Sequence, residues 1–420
     1  MLIKFGDRCQ AARRTRVKQN YASALQSLKL GGHPCVAQHH QGFTMPNSTS
    51  SLQLRSTILG NGTLEVRLEA QAIPSPAPDE VVIAVEATPI NPSDIGLLFG
   101  PADMQTAVFD ATQKCLRAQI VSRAMAGVQR RVDQPMPVGN EGAGRVIAAG
   151  SDARAQALMG RTVAVIAGGM YAQHRVVKAA DCLEVPAGVS AAQAASCFVN
   201  PLTALGFIET LKREGHRALI HTAAASNLGQ MLIRLCKADG IELVNIVRRP
   251  EQVALLKQLG ATHVCDSSSP TFMSDLTTAI DATGATLAFD ATGGGTLANQ
   301  ILTAMEAALS RTLTTYSRYG SPVKKQVYLY GGLDVRPTEL TRSYGMSWAV
   351  GGWLVFQYLP ILGEDTNRAL RARVMTEITT TFASHYTNKI SLSDMIDLRH
   401  VAIYNQRATN TKVLVNPSLG

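Results

Sequence analysis

The sequence predicts an α/β protein in which a doubly wound parallel sheet is inserted in a β-rich domain, and three observations lead there. At 420 residues the chain exceeds what one compact core holds and suits two domains with an appended tail. From Pro201 onward, apolar strand-like runs alternate with helix-length segments, the pattern of a parallel sheet covered on both faces. Before that point short Val/Ile runs are punctuated by Gly and Pro, as in a strongly bent sheet or partial barrel.

The elements follow in chain order. Residues 1–50 read as a basic tail: before Met45 the chain carries Lys4, Arg8, Arg13, Arg14, Arg16, Lys18 and Lys29 against the single acid Asp7. This is the composition of a mitochondrial transit peptide, and equally of an extension ahead of a true start at Met45. Residues 51–190 form the first part of the β-rich domain. Strands are expected at 64–69 and 80–87, split by Pro74, Pro76 and Pro78, and again at 140–150 and 160–167. The stretch 101–135 is helical in composition and reads as an insertion near the mouth of a site.

Residues 191–365 carry the parallel sheet. Strands are predicted at 217–222, 241–247, 263–266, 287–291 and 327–333, with helices at 228–239 and 251–259. Right-handed crossovers then give a doubly wound Rossmann fold. The apolar, Gly-rich stretch 348–359 reads as an edge strand able to pair across a two-fold axis, giving a homodimer. Residues 366–420 return with one amphipathic helix and a terminal strand, 412–416, that rejoins the first domain.

Composition narrows the function classes. Apolar residues make up 46% and charged residues 17%, a globular balance. The apolar runs are shorter than the ~20 residues of a membrane span, so no membrane role is expected. The excess of 40 Lys+Arg over 31 Asp+Glu is concentrated in the tail, and no aromatic residues interleave it, so no nucleic-acid partner is expected. Seven scattered cysteines without a C-x-x-C pair argue against disulfides and structural zinc, and for a reducing compartment. That compartment is the cytoplasm, or the mitochondrial matrix if the tail is a transit peptide.

The turn after the first parallel strand reads Ala223-Ala224-Ala225-Ser226-Asn227-Leu228-Gly229, where a dinucleotide site usually shows G-x-G-x-x-G. Small side chains let the backbone approach a pyrophosphate, and the helix N-terminus adds partial positive charge. About twenty residues on, where an NAD site places a carboxylate on the ribose, stand Arg248 and Arg249. Guanidinium groups pair with a 2′-phosphate, so NADPH is the expected cofactor. A second basic cluster, Arg318, Lys324 and Lys325, precedes a strand and should lie at the wrong edge of the sheet.

These residues resemble the medium-chain dehydrogenase/reductase superfamily, and within it the zinc-free quinone reductases and trans-2-enoyl thioester reductases. The markers span roughly 52–417: Asn91-Pro92-Ser93-Asp94-Ile95, Gly139-Asn140-Glu141-Gly142, Tyr171-Ala172, Asn200-Pro201-Leu202-Thr203-Ala204, the small-residue turn to Gly229-Gln230, and Gly351-Gly352-Trp353-Leu354. The resemblance implies a GroES-like first domain. It also implies that Asn91 and Asp94 line the cleft, that Thr203 contacts the nicotinamide side, that Asn200 binds the cofactor, and that Gly331, Gly332 and Leu333 bring backbone beside the carboxamide. Zinc-using relatives place Cys near Asn91 and His at Asn140; neither ligand is present, so no metal is expected. His174 and His221 then read as packing or hydrogen-bonding residues.

Metal-free hydride transfer suits an enone, a quinone or an enoyl thioester, whose developing charge is already delocalised. One departure stands out. The family's proton-donating Tyr after the N-P-S-D motif is replaced by Gly96 and Ala102, leaving Tyr171 or solvent as the donor. The leading expectation is an NADPH-dependent reductase of unsaturated carbonyls or quinones. Its rivals are an enoyl thioester reductase of fatty-acid synthesis and a non-catalytic NADPH-binding protein.

Overall fold

The computed structural model describes residues 50–406, 409 and 411–419, so the basic tail, Met45, Cys9 and Cys35 lie outside the described residues. The β-rich part contains two sheets. One runs in the order Ala102–Asp110, Cys115–Ile120, Thr63–Ala72, Ser50–Ile58 and Met136–Pro137. The other runs Cys182–Glu184, Thr162–Val165, Gly142–Ala149, Glu80–Pro89, Val413–Val415 and Asn388–Ile390, with His174–Lys178 also on Glu80–Pro89.

Ser50–Ile58 pairs antiparallel with Thr63–Ala72 along its whole length, a strand that pattern reading missed. Its buried face includes Ser56, whose hydroxyl donates to the Leu98 carbonyl at 2.7 Å, so a polar residue sits where alternation calls for an apolar one.

The stretch 101–135 departs from expectation. Instead of helix it forms the hairpin Ala102–Asp110 and Cys115–Ile120, with helix confined to Ser122–Val128 and a single turn at Gln129–Arg131. Leu116, Ala118 and Ile120 are buried and alternate with the half-buried Arg117 and exposed Gln119, the period of a strand. The Asp110 carboxylate accepts from the Thr112 and Gln113 N–H groups and turns the chain. Pairing of Cys115–Ile120 with Thr63–Ala72 overrides the helical leaning of Ala and Gln.

Six parallel strands form the second domain's sheet, in the order His263–Asp266, Glu242–Val247, Ala218–His221, Leu287–Asp290, Lys325–Leu329 and Trp348–Gly352. Successive residues bury opposite faces. Leu219, Leu243, Leu287 and Phe289 pack with the helices Val199–Glu214 and Asn227–Asp239, while Ala218, Ile220, Val244 and Ala288 pack with Phe272–Thr283 and Leu297–Ser310. The span Ala191–Glu214 is apolar enough to cross a membrane by length and composition, but 83% of its apolar window is buried in the protein, so it is a core element.

Three details differ from the sequence reading. The strand expected at 327–333 is Lys325–Leu329, because Gly331 and Gly332 leave the ladder. Lys325, grouped with an exposed basic cluster, is fully buried and its ammonium lies 2.7 Å from the Glu306 carboxylate. The return segment holds helices Glu364–Thr376 and Leu398–Tyr404 rather than one, and a short strand, Asn388–Ile390, parallel to Val413–Val415. Val413–Val415 does rejoin the first domain, antiparallel to Glu80–Pro89, which sets Lys412 beside Asn91.

The Lys325–Glu306 pair generates a stability prediction. Lys325→Met should cost about 3–5 kcal/mol in denaturant unfolding, because it strands a desolvated carboxylate. Adding Glu306→Leu should recover part of that loss. A single variant as stable as the parent would mean the pair holds nothing.

Candidate active site

The strand Ala218–His221 is buried at all four positions and delivers the chain to the crest of the parallel sheet. There Thr222 fastens its neighbour: its hydroxyl donates to Asp290 at 2.6 Å and accepts from the Ala291 N–H at 2.8 Å. The chain then bends at Ala223, held at φ +50°, a left-handed conformation that costs an L-residue. Ser226 caps helix Asn227–Asp239 by accepting from the Gly229 N–H at 3.2 Å. A Cβ on Gly229 would lie 2.1 Å from the Ala224 carbonyl oxygen, so only glycine lets helix and turn approach this closely. Ala224, Ala225 and Leu228 bury their side chains, and what the turn offers a ligand is backbone N–H and the helix's positive end.

Two further crest segments flank this turn. Arg248 and Arg249 follow strand Glu242–Val247 and are both exposed. Arg249 stands 3.7 Å from the exposed Glu251, a weak surface pair. On the other side, Gly331, Gly332 and Leu333 follow strand Lys325–Leu329, and the Leu333 N–H donates to the Ala291 carbonyl at 3.2 Å. A Cβ on Gly331 would meet that same carbonyl oxygen at 2.6 Å, whereas one on Gly332 would meet nothing within 4 Å. His221 shares a 2.7 Å hydrogen bond with the Tyr330 hydroxyl, and burial pushes its imidazole down to about 3, so it is neutral at physiological pH. His174 is half-buried and carries no comparable side-chain bond in the described contacts.

The predicted cleft residues Asn91 and Asp94 are placed differently from expectation. Both are 1% exposed, so they form a buried floor rather than an open wall. They sit at the N-terminus of helix Pro92–Phe99, where the Asp94 carboxylate accepts from the Asn91 N–H at 2.9 Å and the Asn140 N–H at 2.8 Å. The Asn91 amide donates to Glu141 at 2.9 Å, while its carbonyl oxygen accepts from Lys412 at 3.0 Å and Asn200 at 3.4 Å. Glu141, fully buried, accepts in addition from the N–H groups of Phe198 at 2.6 Å and Val199 at 2.9 Å, the start of helix Val199–Glu214. Thr203 lies one turn further along that helix and is 6% exposed.

Burial pushes the Asp94 carboxyl up to about 7, against the pull of the N–H groups it accepts from. Glu141 is pushed up by burial too, opposed by the Lys412 charge and by its backbone donors. Lys412 is pushed down to about 8 by burial, opposed by Glu141 and Asp94. Two carboxyls and one amine with displaced acidities thus share a single hydrogen-bonded cluster, the arrangement expected where chemistry is done.

Tyr171 does not serve as expected. It is 0% exposed, packs with Leu54, Leu64 and Val138, and its hydroxyl is committed to the Pro89 carbonyl at 3.0 Å. Glu141 and Lys412, by contrast, belong to the cluster and were not singled out as site residues. Lys412 had a readable signal, as the one charge opening an apolar strand, Lys412-Val413-Leu414-Val415. Among the described residues, no three His, Cys, Asp or Glu side chains come together as metal ligands.

Comparison with known proteins follows the same division of the chain. Residues 77–187 match the alcohol dehydrogenase GroES-like domain family, and residues 228–314 match the zinc-binding dehydrogenase family. The mitochondrial enoyl-[acyl-carrier-protein] reductase of Xenopus tropicalis is 32% identical over 226 residues, covering 51% of this chain and 57% of that protein. The quinone oxidoreductase of Pseudomonas aeruginosa is 31% identical over 137 residues, covering 32% and 42%. The chain thus spans only about half the length of these curated relatives. In structure it is similar to a candidate NADPH:quinone reductase of Mesorhizobium loti, with a TM-score of 0.67, 25% identity, and coverage of 89% of this chain and 100% of that one. An enoyl thioester reductase of Candida tropicalis, at 21% identity and a TM-score of 0.59, shares the fold over 87% of this chain and 99% of its own. With its two family matches in order on a GroES-like and a Rossmann domain, the chain is similar in sequence and fold to the medium-chain dehydrogenase/reductase superfamily.

Proposed function

We propose that this chain is an NADPH-dependent oxidoreductase that reduces activated C=C bonds or quinones by metal-free hydride transfer. The observation that carries this reading is the crest of the parallel sheet, where a small-residue turn and two exposed arginines end the adjacent strands Ala218–His221 and Glu242–Val247 and a glycine pair follows Lys325–Leu329, two strands along. The residues fit a phosphorylated dinucleotide. Gly229 brings the helix N-terminus close against the turn, and Gly332 faces open space. Ala224, Ala225, Ser226, Asn227, Leu228 and Gly229 would hold the pyrophosphate, Arg248 and Arg249 the 2′-phosphate, and Asn200, Thr203, Gly331, Gly332 and Leu333 the nicotinamide end. The bound cofactor would supply a hydride.

The chain's own contribution is then orientation. Asn91, Glu141 and the first turn of helix Val199–Glu214 are locked to one another by hydrogen bonds, so the floor of the cleft is rigid. The apolar surroundings of that floor keep charge poorly screened and favour hydrogen bonds to an oxygen gaining negative charge.

A second reading is an enoyl thioester reductase. Similarity to the Xenopus enoyl-[acyl-carrier-protein] reductase favours it, and Gly96 and Ala102 in place of a Tyr donor weigh against it. The small-molecule partner is accordingly an unsaturated carbonyl, a quinone or a thioester. The free edge of Trp348–Gly352 supports a homodimer. The basic residues before Met45 support a mitochondrial location over a cytoplasmic one, as does similarity to the mitochondrial Xenopus enzyme.

Two measurements test this reading. Turnover of NADPH with crotonyl thioester, an enone and a quinone should favour the enone or quinone; oxidation with none of the three overturns the reductase assignment. Arg248→Ala with Arg249→Ala should raise KM for NADPH about tenfold to a hundredfold, the worth of charged hydrogen bonds to phosphate. KM for NADH should change little, and equal effects on both cofactors would remove the 2′-phosphate role.

A further inference from the structure

The proposed reduction leaves a proton to be delivered, and the phenol that would do so is absent from Gly96 and Ala102. The tyrosines near the cleft are poor substitutes. Tyr171 is fully buried and donates to the Pro89 carbonyl, and Tyr330 is engaged with His221. Burial makes these two, and Tyr386, weaker acids than a free phenol. Lys412 differs. It is half-buried, its ammonium meets Asn91 at 3.0 Å, and Asn91 is itself bonded to Asn200, which the reductase reading sets at the nicotinamide end.

We propose that the Lys412 ammonium is the acid that completes reduction of a carbon–carbon double bond. This rests on the reductase reading above. After the β-carbon has accepted a hydride from the reduced nicotinamide cofactor, the electron pair of the former double bond resides on the α-carbon and carbonyl oxygen. The α-carbon forms a C–H bond as the ammonium N–H bond breaks, and the N–H electrons stay on nitrogen. Lysine returns to ammonium by taking a proton from solvent, and the cofactor is left oxidised.

The surroundings suit this role. The buried carboxyls of Asp94 and Glu141 face the ammonium from helix Pro92–Phe99 and from the segment before Gly142–Ala149, and hold it charged against the cost of burial. The amides of Asn91 and Asn200 are the neutral groups beside it. An amine lowered to about 8 is protonated at neutral pH and gives its proton up more readily than an exposed lysine. A quinone needs no such donor, because its reduced form carries the charge on oxygen and takes a proton directly from solvent.

The test compares 2-cyclohexenone and 1,4-benzoquinone, each with NADPH, in the parent, Lys412→Met and Lys412→Arg proteins. In Lys412→Met both rates should drop as the floor loses the charge facing Glu141, and kcat for the enone should fall about 30- to 100-fold further than kcat for the quinone, the range of a lost general acid. Lys412→Arg keeps the charge beside Asn91 but binds its proton too tightly to release it, so enone reduction should stay low. In the parent, enone kcat should fall as pH rises through about 8, where the ammonium loses its proton, and quinone kcat should not. A readout without turnover is the carbon resonance of ¹³C-methylated lysines in cofactor-free protein: the one missing in Lys412→Met should titrate near 8. An equal fall with both acceptors, restoration by arginine, or titration at the ordinary lysine value would each overturn the proposal. No turnover by the parent with either acceptor removes the reductase reading and this proposal with it, whereas turnover with the wrong pattern removes the proposal alone.

Discussion

A buried carboxylate ties the two domains together. Glu141 takes hydrogen bonds from the Asn91 amide on one side and from the Phe198 and Val199 N–H groups on the other, with the Lys412 charge nearby. A carboxylate removed from water is costly unless its lone pairs are filled and a cation compensates it, and each of those conditions is met by a different stretch of chain. Asn91 comes from the first domain, Phe198 and Val199 from the start of the long core helix, and Lys412 from the terminal strand. The position of the cleft floor therefore depends on all three stretches being in place.

From that constraint the rest of the site follows. Helix Val199–Glu214 is pinned at its N-terminus by Glu141 and packed along its length by the aromatic cluster of Phe207, Phe289 and Trp353. Gly206 admits the Trp353 ring, since a Cβ there would lie 2.9 Å from it. The helix thus holds the buried Asn200 and Thr203 in its first two turns, with Asn200 bonded to Asn91. The returning chain is tied to helix Asn227–Asp239: Arg234 donates to the carbonyls of Thr381 and Ala383, and Asn227 donates to Ser384.

Much of this was legible in the sequence, for reasons of period and spacing. The first four parallel strands read correctly to within a residue because strands buried on both faces are short, mainly apolar runs, as at Ala218–His221 and Leu287–Asp290, whereas the apolar run on to Leu333 hid the true end of Lys325–Leu329. The hairpin at Ala102–Asp110 and Cys115–Ile120 was misread because it carries Ala and Gln, which favour helix locally, while its partner strand lies about fifty residues earlier. Ser50–Ile58 was missed because Ser56 interrupts the face of Leu52, Leu54 and Ile58 and polar Ser51 and Gln53 are buried on the other, each made tolerable by a distant partner that no local window contains. Lys412 and Glu141 escaped for the same physical reason: their chemistry comes from being brought together across some 270 positions of chain, about the separation of their numbers. Tyr171 erred the other way, since the ring chemistry of a donor was visible and its burial was not.

The account stands on a phosphorylated dinucleotide lying across the sheet crest, and a crystal structure of the protein grown with NADPH tests it most directly. The predicted result is density for the pyrophosphate against residues 223–229 and for the 2′-phosphate between the Arg248 and Arg249 guanidinium groups. The nicotinamide should then point toward Asn200. A crest empty at saturating cofactor, or a nucleotide bound elsewhere on the chain, would contradict it.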